Sequence, residues 1–408
     1  MNTTRIEKMT SPPRGAEVTA DLVAARWRLI GGAQDVRDVL LDAEALRQMP
    51  QYQHHVENFI GTVKLPVGIT GPLRVKGTHA RGDYYVPLAT TEAALVASYS
   101  RGARLISSSG GCRTAVLEEA LSRAPGFAFR TLDEAVAFVA WLRGQTEQLA
   151  GVAAATSRYG RLVGTRTSTE GNHVYVNFEF VTGDAAGQNM VTFATEALMS
   201  HIRKHSPVEP RYAFIEANRS GDKKATARAL QGVRGRRVAA EIEISADAVR
   251  HTLHTEPERM TEYWRMGAIG CALSGTIGVQ GHYANALAAI YLACGQDVAC
   301  VAESAIGITR FELTESGALY AAVTLPNVLV GTVGGGTNLP SQRASLAIMG
   351  LAGEGNAGAL AEICAALCLA GEISLVGALC AGDFSRAHRE LARPLRAAER
   401  NPPIASKQ

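Results

Sequence analysis

A run of closely spaced glycines, Gly331-Thr-Val-Gly-Gly-Gly-Thr337, limits the possible folds of this chain more than any other stretch. An apolar, strand-like segment precedes it at residues 325–330. Glycine loses more backbone freedom on folding than any other residue, so three in succession need a structural reason. The pattern favours a loop whose backbone N–H groups approach a large anionic ligand. A tight turn between two elements is the alternative, although one or two glycines are enough for a turn.

Length and composition indicate a globular chain of two domains. A chain of 408 residues is longer than one hydrophobic core usually holds. Its hydrophobic content of 47% and charged content of 19% are ordinary for such proteins. The net charge of +3 is too small to indicate binding to nucleic acid or to a membrane surface.

No membrane-spanning segment is predicted. Residues 1–15 contain no apolar stretch of the signal-peptide type. The most apolar stretch, residues 359–381, is interrupted by Glu362 and Glu372, and it is therefore not expected to cross a membrane.

The seven cysteines indicate free thiols rather than a metal site. None forms a CxxC pair. Cys364 and Cys368 lie four residues apart in an alanine-rich helical stretch, and without a nearby His or Cys partner they are predicted to be core residues. No metal is therefore expected, and free thiols are typical of the reducing cytoplasm.

Hydrophobic periodicity predicts a mixture of helices and strands. Thr90 or Thr91 is expected to cap a helix that follows Glu92. Helices are also predicted at residues 22–30, 36–49 and 341–390 and within 260–299. Residues 57–90 are rich in Gly, Pro and β-branched residues with a strand-like segment at 84–88, and strand patterns return at 304–330 after a short polar-alternating segment at 239–246.

Residues 125–216 carry a pattern of their own. It reads strand 126–131, helix 133–150, strands 161–167 and 173–180 joined by a turn at 170–172, helix 184–205 and strand 212–216. This βαββαβ order is that of ferredoxin-like domains. The predicted fold class is therefore α+β, with a ferredoxin-like domain at 125–214 inserted in a larger domain made of residues 1–124 and 215–393, before a tail at 394–408.

One nucleotide-binding motif is interpreted as accidental. Gly353-Glu-Gly-Asn-Ala-Gly358 has the spelling of the dinucleotide fingerprint and precedes a helix. The preceding SLAIMGLA is poor in β-branched residues and looks helical, and no βαβ unit follows. The motif is therefore predicted to be an ordinary loop.

Several charged residues stand out, each with an ordinary explanation. Lys223 and Lys224 follow Asp222 after a strand, where a solvated turn is the usual reading. Asp297 follows an apolar run, where an acid is unexpected. Glu92 stands at a predicted helix start, where the helix dipole alone favours an acid. His388 near the C-terminus can equally be an exposed histidine.

Taken together and in order, the motifs resemble the 3-hydroxy-3-methylglutaryl-coenzyme A (HMG-CoA) reductase family, over roughly residues 25–393. So many motifs in one order carry far more weight than any one of them. They are Glu57-Asn-Phe-Ile-Gly61, Pro66-Val-Gly-Ile-Thr-Gly-Pro-Leu73, Thr90-Thr-Glu92, Gly183-Asp-Ala-Ala-Gly-Gln-Asn-Met190, Asn218 with Asp222-Lys-Lys224, Gly295-Gln-Asp297, the glycine run and His388.

The resemblance implies a reaction and four catalytic residues. The family reduces an acyl thioester to an alcohol with two hydrides, through a hemithioacetal and an aldehyde. Lys223 matches the lysine that stabilises the oxyanion, and Asp297 matches the acid that holds this lysine. Glu92 matches the acid that donates a proton as the intermediate collapses. His388 matches the histidine that protonates the departing coenzyme A thiolate, on a C-terminal segment that closes over the site.

The resemblance also implies an NADPH site in the inserted domain. Ser157-Arg158 matches the pair that grips the 2′-phosphate in the eukaryotic-type (class I) members, and an Arg fork suits a phosphate dianion. The segment Gly183–Met190 opens a helix that can hold a pyrophosphate. The expected cofactor-binding residues are Ser157, Arg158, Asp184, Ala186, Gly187, Gln188, Asn189, Gly334, Gly335 and Gly336.

The expected acyl-CoA contacts include three positions that depart from the family. Glu216 replaces a serine that contacts the acyl carboxylate, Arg265 replaces a lysine, and Val298-Ala-Cys-Val301 with Glu303 replaces Ala-Ala-Gln-Asn. An ionised Glu216 would repel a glutaryl carboxylate unless Arg265 pairs with it or the side chain turns away. The expected substrate-binding residues are Glu57, Asn58, Arg123, Asn218, Asp222, Lys224, Arg265 and Asn285.

The function implied is NADPH-dependent reduction of HMG-CoA to mevalonate and free CoA. A paralogue that reduces another acyl-CoA thioester stays open, as does a non-catalytic acyl-CoA-binding homologue, which the intact catalytic set argues against. The resemblance implies a cytoplasmic homo-oligomer without the membrane anchor of animal members. Its active site would be shared between subunits, with residues 57–61 facing a partner's catalytic groups.

Overall fold

Residues 17–31 and 34–384 are described by the computed structural model of the chain. They fall into two compact units. The first holds the described residues up to Pro66 together with Asn338–Pro340, and the second holds Val67–Thr337 and the described residues from Ser341 onward.

The first unit is a small helical body around its own core of Val23, Trp27, Leu41 and Phe59. Trp27 donates its indole N–H to the carbonyl of Ile60 at 2.9 Å, so the segment that follows Asn58 is fixed to the first helix. The three α-helices are α1 (Ala20–Ile30), α2 (Gln34–Leu40) and α3 (Ala43–Gln48). They correspond to the helices predicted at 22–30 and 36–49, with the second one divided.

The second unit is built on one mixed sheet of eleven strands covered by helices, so the fold is α+β as predicted. Its strands are β1 (Val67–Gly77), β2 (Arg81–Ala89), β3 (Cys112–Arg123), β4 (Gly126–Ala128), β5 (Arg161–Glu170), β6 (His173–Val181), β7 (Tyr212–Phe214), β8 (Gly235–Ile244), β9 (Gly278–Val279), β10 (Gly307–Leu313) and β11 (Leu319–Val328). The order is β7-β4-β6-β3-β8-β11-β10-β9, with β1 on β2 and β3, and β5 on β6.

The α-helices from residue 95 onward complete the architecture. They are α4 (Leu95–Ser108), α5 (Leu132–Arg143), α6 (Thr146–Ala154), α7 (Gln188–His205), α8 (Ala246–Leu253), α9 (Pro257–Ser274), α10 (Tyr283–Ala293), α11 (Val301–Ser304), α12 (Pro340–Ile348) and α13 (Ala357–Ala381).

Helix α13 is the centre of the core, and most of its residues are buried. By length and composition alone it is apolar enough to cross a membrane, although no span was predicted there. Its burial is that of the core helix of a globular protein. Its two acids are buried but not isolated, because Glu362 accepts hydrogen bonds from the backbone N–H groups of His79 (3.0 Å) and Ala80 (2.7 Å).

Strands β4 to β7 form a four-stranded, antiparallel part of the sheet in the order β7-β4-β6-β5. Strand β3 continues past its pairing with β8 and pairs with β6 at residues 121–123, so the two parts of the sheet are continuous. No boundary of the compact units falls at 125 or 214. The division into a large and an inserted domain therefore stays a prediction.

Two local predictions differ from the structure, and a third agrees with it. Helix α4 begins at Leu95, after Ala94 in a left-handed conformation, and neither Thr90 nor Thr91 caps it; the Thr90 hydroxyl instead accepts the N–H of Glu92. The helix predicted at 133–150 is divided near Gly144. The segment before Gly353 is helical, as expected, so the reading of that motif as a loop is confirmed.

Candidate active site

A polar cavity of about 650 Å³ lies where the glycine run, the start of α7 and the end of α10 meet. We call it the polar cavity. Its lining includes Arg123, residues 185–190, Asp222, Lys223, residues 295–297, Gly331 and residues 333–337.

Lys223 and Asp297 form an ion pair in this cavity. The Lys223 Nζ lies 2.8 Å from Asp297 Oδ2, and both side chains are partly exposed. The hydrogen bond to Asp297 raises the pKa of Lys223. Burial works to raise the pKa of Asp297, but the hydrogen bond and charge of Lys223 outweigh it and hold the pKa below its usual value. The ammonium therefore stays charged throughout the neutral pH range.

A buried carboxylate fixes the backbone of Lys223. This residue has a left-handed conformation, with φ of 54°. Its N–H donates to Glu303 Oε1 at 3.1 Å, and the same carboxylate pairs with Arg234 at 2.5 Å. Glu303 and Arg234 are both almost inaccessible to solvent. Burial raises the pKa of Glu303, and the charge of Arg234 acts against this.

The network continues to Arg123. Asp222 lies 2.8 Å from Arg234 and 2.9 Å from Arg123. Glu216 lies 3.6 Å from the Arg123 guanidinium and accepts the N–H of Ala124 at 3.2 Å. Of the two alternatives for Glu216, pairing with Arg265 is not among the ion pairs of the described residues, and the cation beside Glu216 is Arg123.

The glycines of the run each have a reason within the protein. A Cβ on Gly331 would come within 2.5 Å of the Ala186 backbone nitrogen, and one on Gly336 within 2.7 Å of the Gly295 carbonyl oxygen. Gly334 and Gly335 have φ of 74° and 51°, with no atom near the place of a Cβ. Close backbone contacts and positive φ thus account for these glycines. Ligand binding by Gly334, Gly335 and Gly336 stays a prediction.

The start of α7 borders the same cavity. Gly187 precedes the helix with φ of 75°, and no side chain caps the first turn. Gln188 donates its amide to Asp297 Oδ2 at 3.0 Å, so this predicted cofactor residue supports the ion pair. Asp184 accepts the N–H groups of Gly355 (2.7 Å) and Ala357 (3.0 Å) at the start of α13.

The loop with Ser157 and Arg158 packs against the first turn of α7. The Ser157 hydroxyl accepts the N–H groups of Tyr159 (3.1 Å) and Gly160 (3.2 Å), which holds the loop in a turn. A Cβ on Gly160 would lie 2.8 Å from the sulfur of Met190. The guanidinium of Arg158 is exposed and lies 5.8 Å from the centre of the Tyr159 ring.

A second cavity of about 490 Å³, the apolar cavity, contains Glu92. The Asn285 amide donates to both Glu92 oxygens at 3.2 Å, so these predicted residues are brought together. The remaining lining is Ala93, Ala94, Leu95, Ala97, Ser98, Tyr99, Arg101, Arg104, Gly281, His282, Leu375, Ala378 and Phe384.

The wall of the apolar cavity is fixed by another buried acid. Glu372 of α13 accepts the N–H groups of Gly281 and His282, each at 2.8 Å, and the hydroxyl of Thr309 at 2.7 Å. Its partners are neutral, whereas Glu303 behind the polar cavity pairs with a cation.

The two cavities lie at opposite ends of α10. Asn285 is in the first turn of this helix, and Asp297 follows its last residue, Ala293. Eight residues of α-helix rise about 12 Å. The helix positions that flank the two cavities are therefore about 12 Å apart along α10.

The other predicted residues are placed as follows. Lys224 donates to the carbonyl of Asp222 at 3.1 Å, and Asn218 and Arg265 are exposed outside the lining of both cavities. Glu57 and Asn58 belong to the first unit. His388 lies outside the described residues.

Sequence reasoning missed several residues of these cavities. Glu303 appeared only as a departure from a pattern, and its partner Arg234 is 69 residues away in the chain. Arg101 and Arg104 line the cavity of Glu92 and lie three residues apart on α4, a helical spacing that the sequence shows. His282, three residues before Asn285, stacks on Tyr99 with ring centres 5.2 Å apart.

Comparisons with known proteins agree with the resemblance. The profile of the family described as hydroxymethylglutaryl-coenzyme A reductase matches residues 23–393. The 3-hydroxy-3-methylglutaryl-coenzyme A reductase of Aeropyrum pernix is 41% identical over 373 residues, 90% of this chain and 87% of that one. The Haloferax volcanii enzyme of the same name is 40% identical over 387 residues, 93% of this chain and 94% of that one.

A solved structure shares the fold at low identity. It is the class II 3-hydroxy-3-methylglutaryl-CoA reductase from Streptococcus pneumoniae bound to NADPH in open conformations. Its TM-score is 0.65 at 20% identity, over 86% of this chain and 99% of that one.

Proposed function

The chain belongs to the hydroxymethylglutaryl-coenzyme A reductase family, and we propose that Lys223, Asp297 and Glu92 carry out its reaction. The protein is an oxidoreductase that reduces HMG-CoA with NADPH to mevalonate and CoA. One observation carries the proposal for the residues. It is the Lys223 ammonium held 2.8 Å from Asp297 in a cavity bordered by the start of α7 and the glycine run.

Lys223 is suited to stabilise an oxyanion. When the thioester carbonyl is reduced, its oxygen gains negative charge, and a cation already in place lowers the barrier. Asp297 keeps Lys223 charged, and Glu303 holds its backbone. The ammonium is thus oriented before the substrate arrives. The same arrangement serves both reductive steps, because each develops charge on an oxygen.

Glu92 is suited to donate the proton when the hemithioacetal collapses to the aldehyde. The amide of Asn285 orients its carboxyl group in the apolar cavity. His388, proposed as the acid for the departing thiolate, lies outside the described residues.

The residues around the polar cavity fit NADPH, which supplies hydride when bound. No atom lies within 4 Å of a Cβ placed on Gly334 or Gly335, so the loop leaves room for a ligand there. The first turn of α7 has N–H groups without a side-chain cap, which suits a pyrophosphate. The exposed Arg158 guanidinium near that turn suits a 2′-phosphate. We propose that the segment 125–214 is the inserted nucleotide-binding domain.

We propose further that two chains share each active site. Glu92 and Lys223 must both act at the reacting carbon, yet each is anchored at a different end of α10. A second copy arranged around a two-fold axis can bring the apolar cavity of one chain to the polar cavity of the other.

Complementation tests this assembly. Co-producing a Lys223→Ala chain with a Glu92→Gln chain gives mixed dimers in which one of two sites is intact. Random pairing makes half of the dimers mixed, so activity should return to roughly a quarter of wild type. Mixing Lys223→Ala with Asp297→Asn, both in the polar cavity, restores nothing and is the matched control. If the first mixture is as inactive as the control, the shared site is wrong.

A paralogue with another acyl group is favoured by one observation. Glu216 stands where the family has a serine that contacts the acyl carboxylate, and the expected substrate-binding Arg123 already has Asp222 and Glu216 beside it. The relative rates for HMG-CoA and for an uncharged acyl-CoA decide between the two substrates.

A further inference from the structure

A third cavity of about 200 Å³ is lined by three arginines, two of which, Arg219 and Arg228, flank the segment that carries Lys223. We call it the arginine cavity. Its lining is Arg166, Thr167, Ser168, Tyr175, Asn177, Arg219, Arg228, Gln231 and Gly232, none of which lines the polar or the apolar cavity.

The floor of the arginine cavity is the polar face of the β5–β6 hairpin. Arg166 pairs with Asn177 across the two strands, and Ser168 pairs with Tyr175. Alternate residues of β6, such as Val176 and Phe178, are fully buried on the opposite face. Because side chains alternate across a strand, the sequence places these polar groups together on one face.

The positive charge of the cavity is only partly balanced. Arg166 lies 3.2 Å from Glu179, while the Arg228 guanidinium donates to the carbonyl of Ser220 at 3.2 Å. Arg219 has no ion pair or hydrogen bond within the described ranges. Three arginines and one carboxylate leave a net charge of about +2, since each guanidinium stays protonated in proteins.

Two further observations favour an anionic ligand. Burial, followed by the charge of Arg219, lowers the pKa of Arg228, so the cluster is electrostatically unfavourable as it stands. Asn177 is 6% exposed, and its Oδ1 has no hydrogen-bond partner among the described residues. An anion with a hydroxyl would satisfy both groups, because its charge balances that of the arginines and its hydroxyl can donate to Asn177 Oδ1.

We propose that the arginine cavity binds a phosphate-type anion with a hydroxyl, either a phosphate monoester that carries the hydroxyl on its organic part or a diphosphate that keeps one proton. A phosphate group carries a charge of about −1.5 to −2 at neutral pH, which matches the excess of the arginines. Guanidinium groups and phosphate oxygens form strong paired hydrogen bonds. The cavity is well above the roughly 15 Å³ needed for one water, so a phosphate group with its substituent fits.

The position of the cavity gives such binding a consequence for the reaction. Arg219 and Arg228 stand at the two ends of a segment that contains Asp222 and Lys223. An anion held by both arginines would tie these ends together. The ligand would thereby restrict the loop that presents the catalytic ammonium without touching the substrate.

Calorimetric titration of the full chain with inorganic phosphate and with inorganic diphosphate, at constant ionic strength against chloride, tests the proposal. We expect saturable binding to the wild type. Arg219→Ala and Arg228→Gln should each weaken it at least about tenfold, the loss that corresponds to one charge-assisted hydrogen bond. Arg143→Ala removes an exposed arginine of α5 outside the cavity and should change nothing. The readout is binding, so it is independent of whether the reductase residues are assigned correctly.

Repeating the titration with saturating CoA or NADPH distinguishes the two sources of phosphate. If either substrate displaces diphosphate, the cavity receives a phosphate of that substrate. If neither does, it receives a separate phosphorylated compound. Absence of saturable binding overturns the proposal, as does binding that survives both arginine variants, which would belong to the start of α7. Should one variant fail to fold, the other decides alone.

Discussion

The loops that border the polar and the apolar cavity are fixed in place by different kinds of contact. In each cavity, a loop that forms part of the wall is fixed by a buried carboxylate. This carboxylate is Glu303 in the polar cavity and Glu372 in the apolar cavity. Glu303 is paired with the cation Arg234, which itself reaches Asp222 and through it Arg123. Glu372 has only N–H and hydroxyl partners. The polar cavity is thus a chain of linked charges, whereas the apolar cavity depends on shape and carries one oriented acid.

The difference teaches which substitutions each cavity tolerates. Linked buried charges are strongly coupled, so removing one leaves its neighbours without a partner. A carboxylate whose partners are all neutral can be replaced by a neutral amide at lower cost, since a hydroxyl partner can turn from donor to acceptor. The polar cavity should therefore respond steeply to the loss of single charges and the apolar cavity only weakly.

The largest effect is expected when the central charge is removed. Lys223→Ala should reduce the rate of both reductive steps by on the order of 10²–10³, because it removes the cation that we propose stabilises the developing oxyanion. The measurement is kcat with HMG-CoA and, separately, with mevaldehyde. Lys204→Ala, an exposed change at the end of α7, is the control. Near-normal turnover by a correctly folded Lys223→Ala protein would refute the assignment.

The two buried acids give the most direct comparison, with matched isosteric variants. Glu303→Gln leaves Arg234 buried with a single carboxylate and should lower the free energy of unfolding by about 3 kcal/mol. Glu372→Gln keeps an oxygen for Gly281 and His282, and Thr309 can reverse its hydroxyl, so we expect about 1 kcal/mol.

Urea unfolding of the two variants, compared at equal slope, measures this difference. Glu303→Gln should also lower kcat by a larger factor than it changes the KM for NADPH, because the backbone of Lys223 loses its charged hydrogen-bond acceptor. An equal or greater loss of stability in Glu372→Gln would show that charge linkage does not distinguish the cavities.

A smaller effect is expected at the edge of the polar cavity. Arg158→Ala should weaken NADPH binding by about tenfold and leave NADH binding nearly unchanged, since the guanidinium is proposed to contact only the 2′-phosphate. Fluorescence titration with both nucleotides measures it, with Arg203→Ala as a control on exposed charge. If wild type prefers NADH, the roles of Ser157 and Arg158 are wrong.

The smallest effect is expected at Glu216. Glu216→Ser removes one of two carboxylates beside Arg123 and should lower the KM for HMG-CoA a few-fold, a size typical of partly exposed pairs. The KM for an uncharged acyl-CoA should stay the same, as should both constants in the exposed Glu196→Ser control. An unchanged ratio of kcat/KM between the two substrates would show that Glu216 does not influence the acyl end.

Sequence alone predicted the elements with strong local signals and the residues that motifs carry. The β5–β6 hairpin was predicted from alternation and its turn, and the pairing of Lys223 with Asp297 from the resemblance. The start of α4 was missed because a threonine before an acid also fits a local turn, and here the Thr90 hydroxyl closes that turn instead of capping the helix.

Pairings between residues that are distant in the chain could not be predicted from the sequence. Nothing local shows that Glu303 meets Arg234, or that Arg123 rather than Arg265 lies beside Glu216. Such pairs are set by which strands become neighbours. The glycine run teaches the same, because the need for Gly331 and Gly336 comes from backbone segments at Ala186 and Gly295.

The buried acids of α13 have a consequence for the kinetics of amide hydrogen exchange. Glu362 and Glu372 accept the N–H groups of His79, Ala80, Gly281 and His282, all of which lie in turns or at a helix start. Amides in such segments usually exchange quickly with solvent, since local opening exposes them. Here their release requires separation from α13, whose residues are mostly buried. These four amide protons should therefore persist about as long as those of α13 itself, so that two connections in the chain behave, on the exchange time scale, as parts of its core.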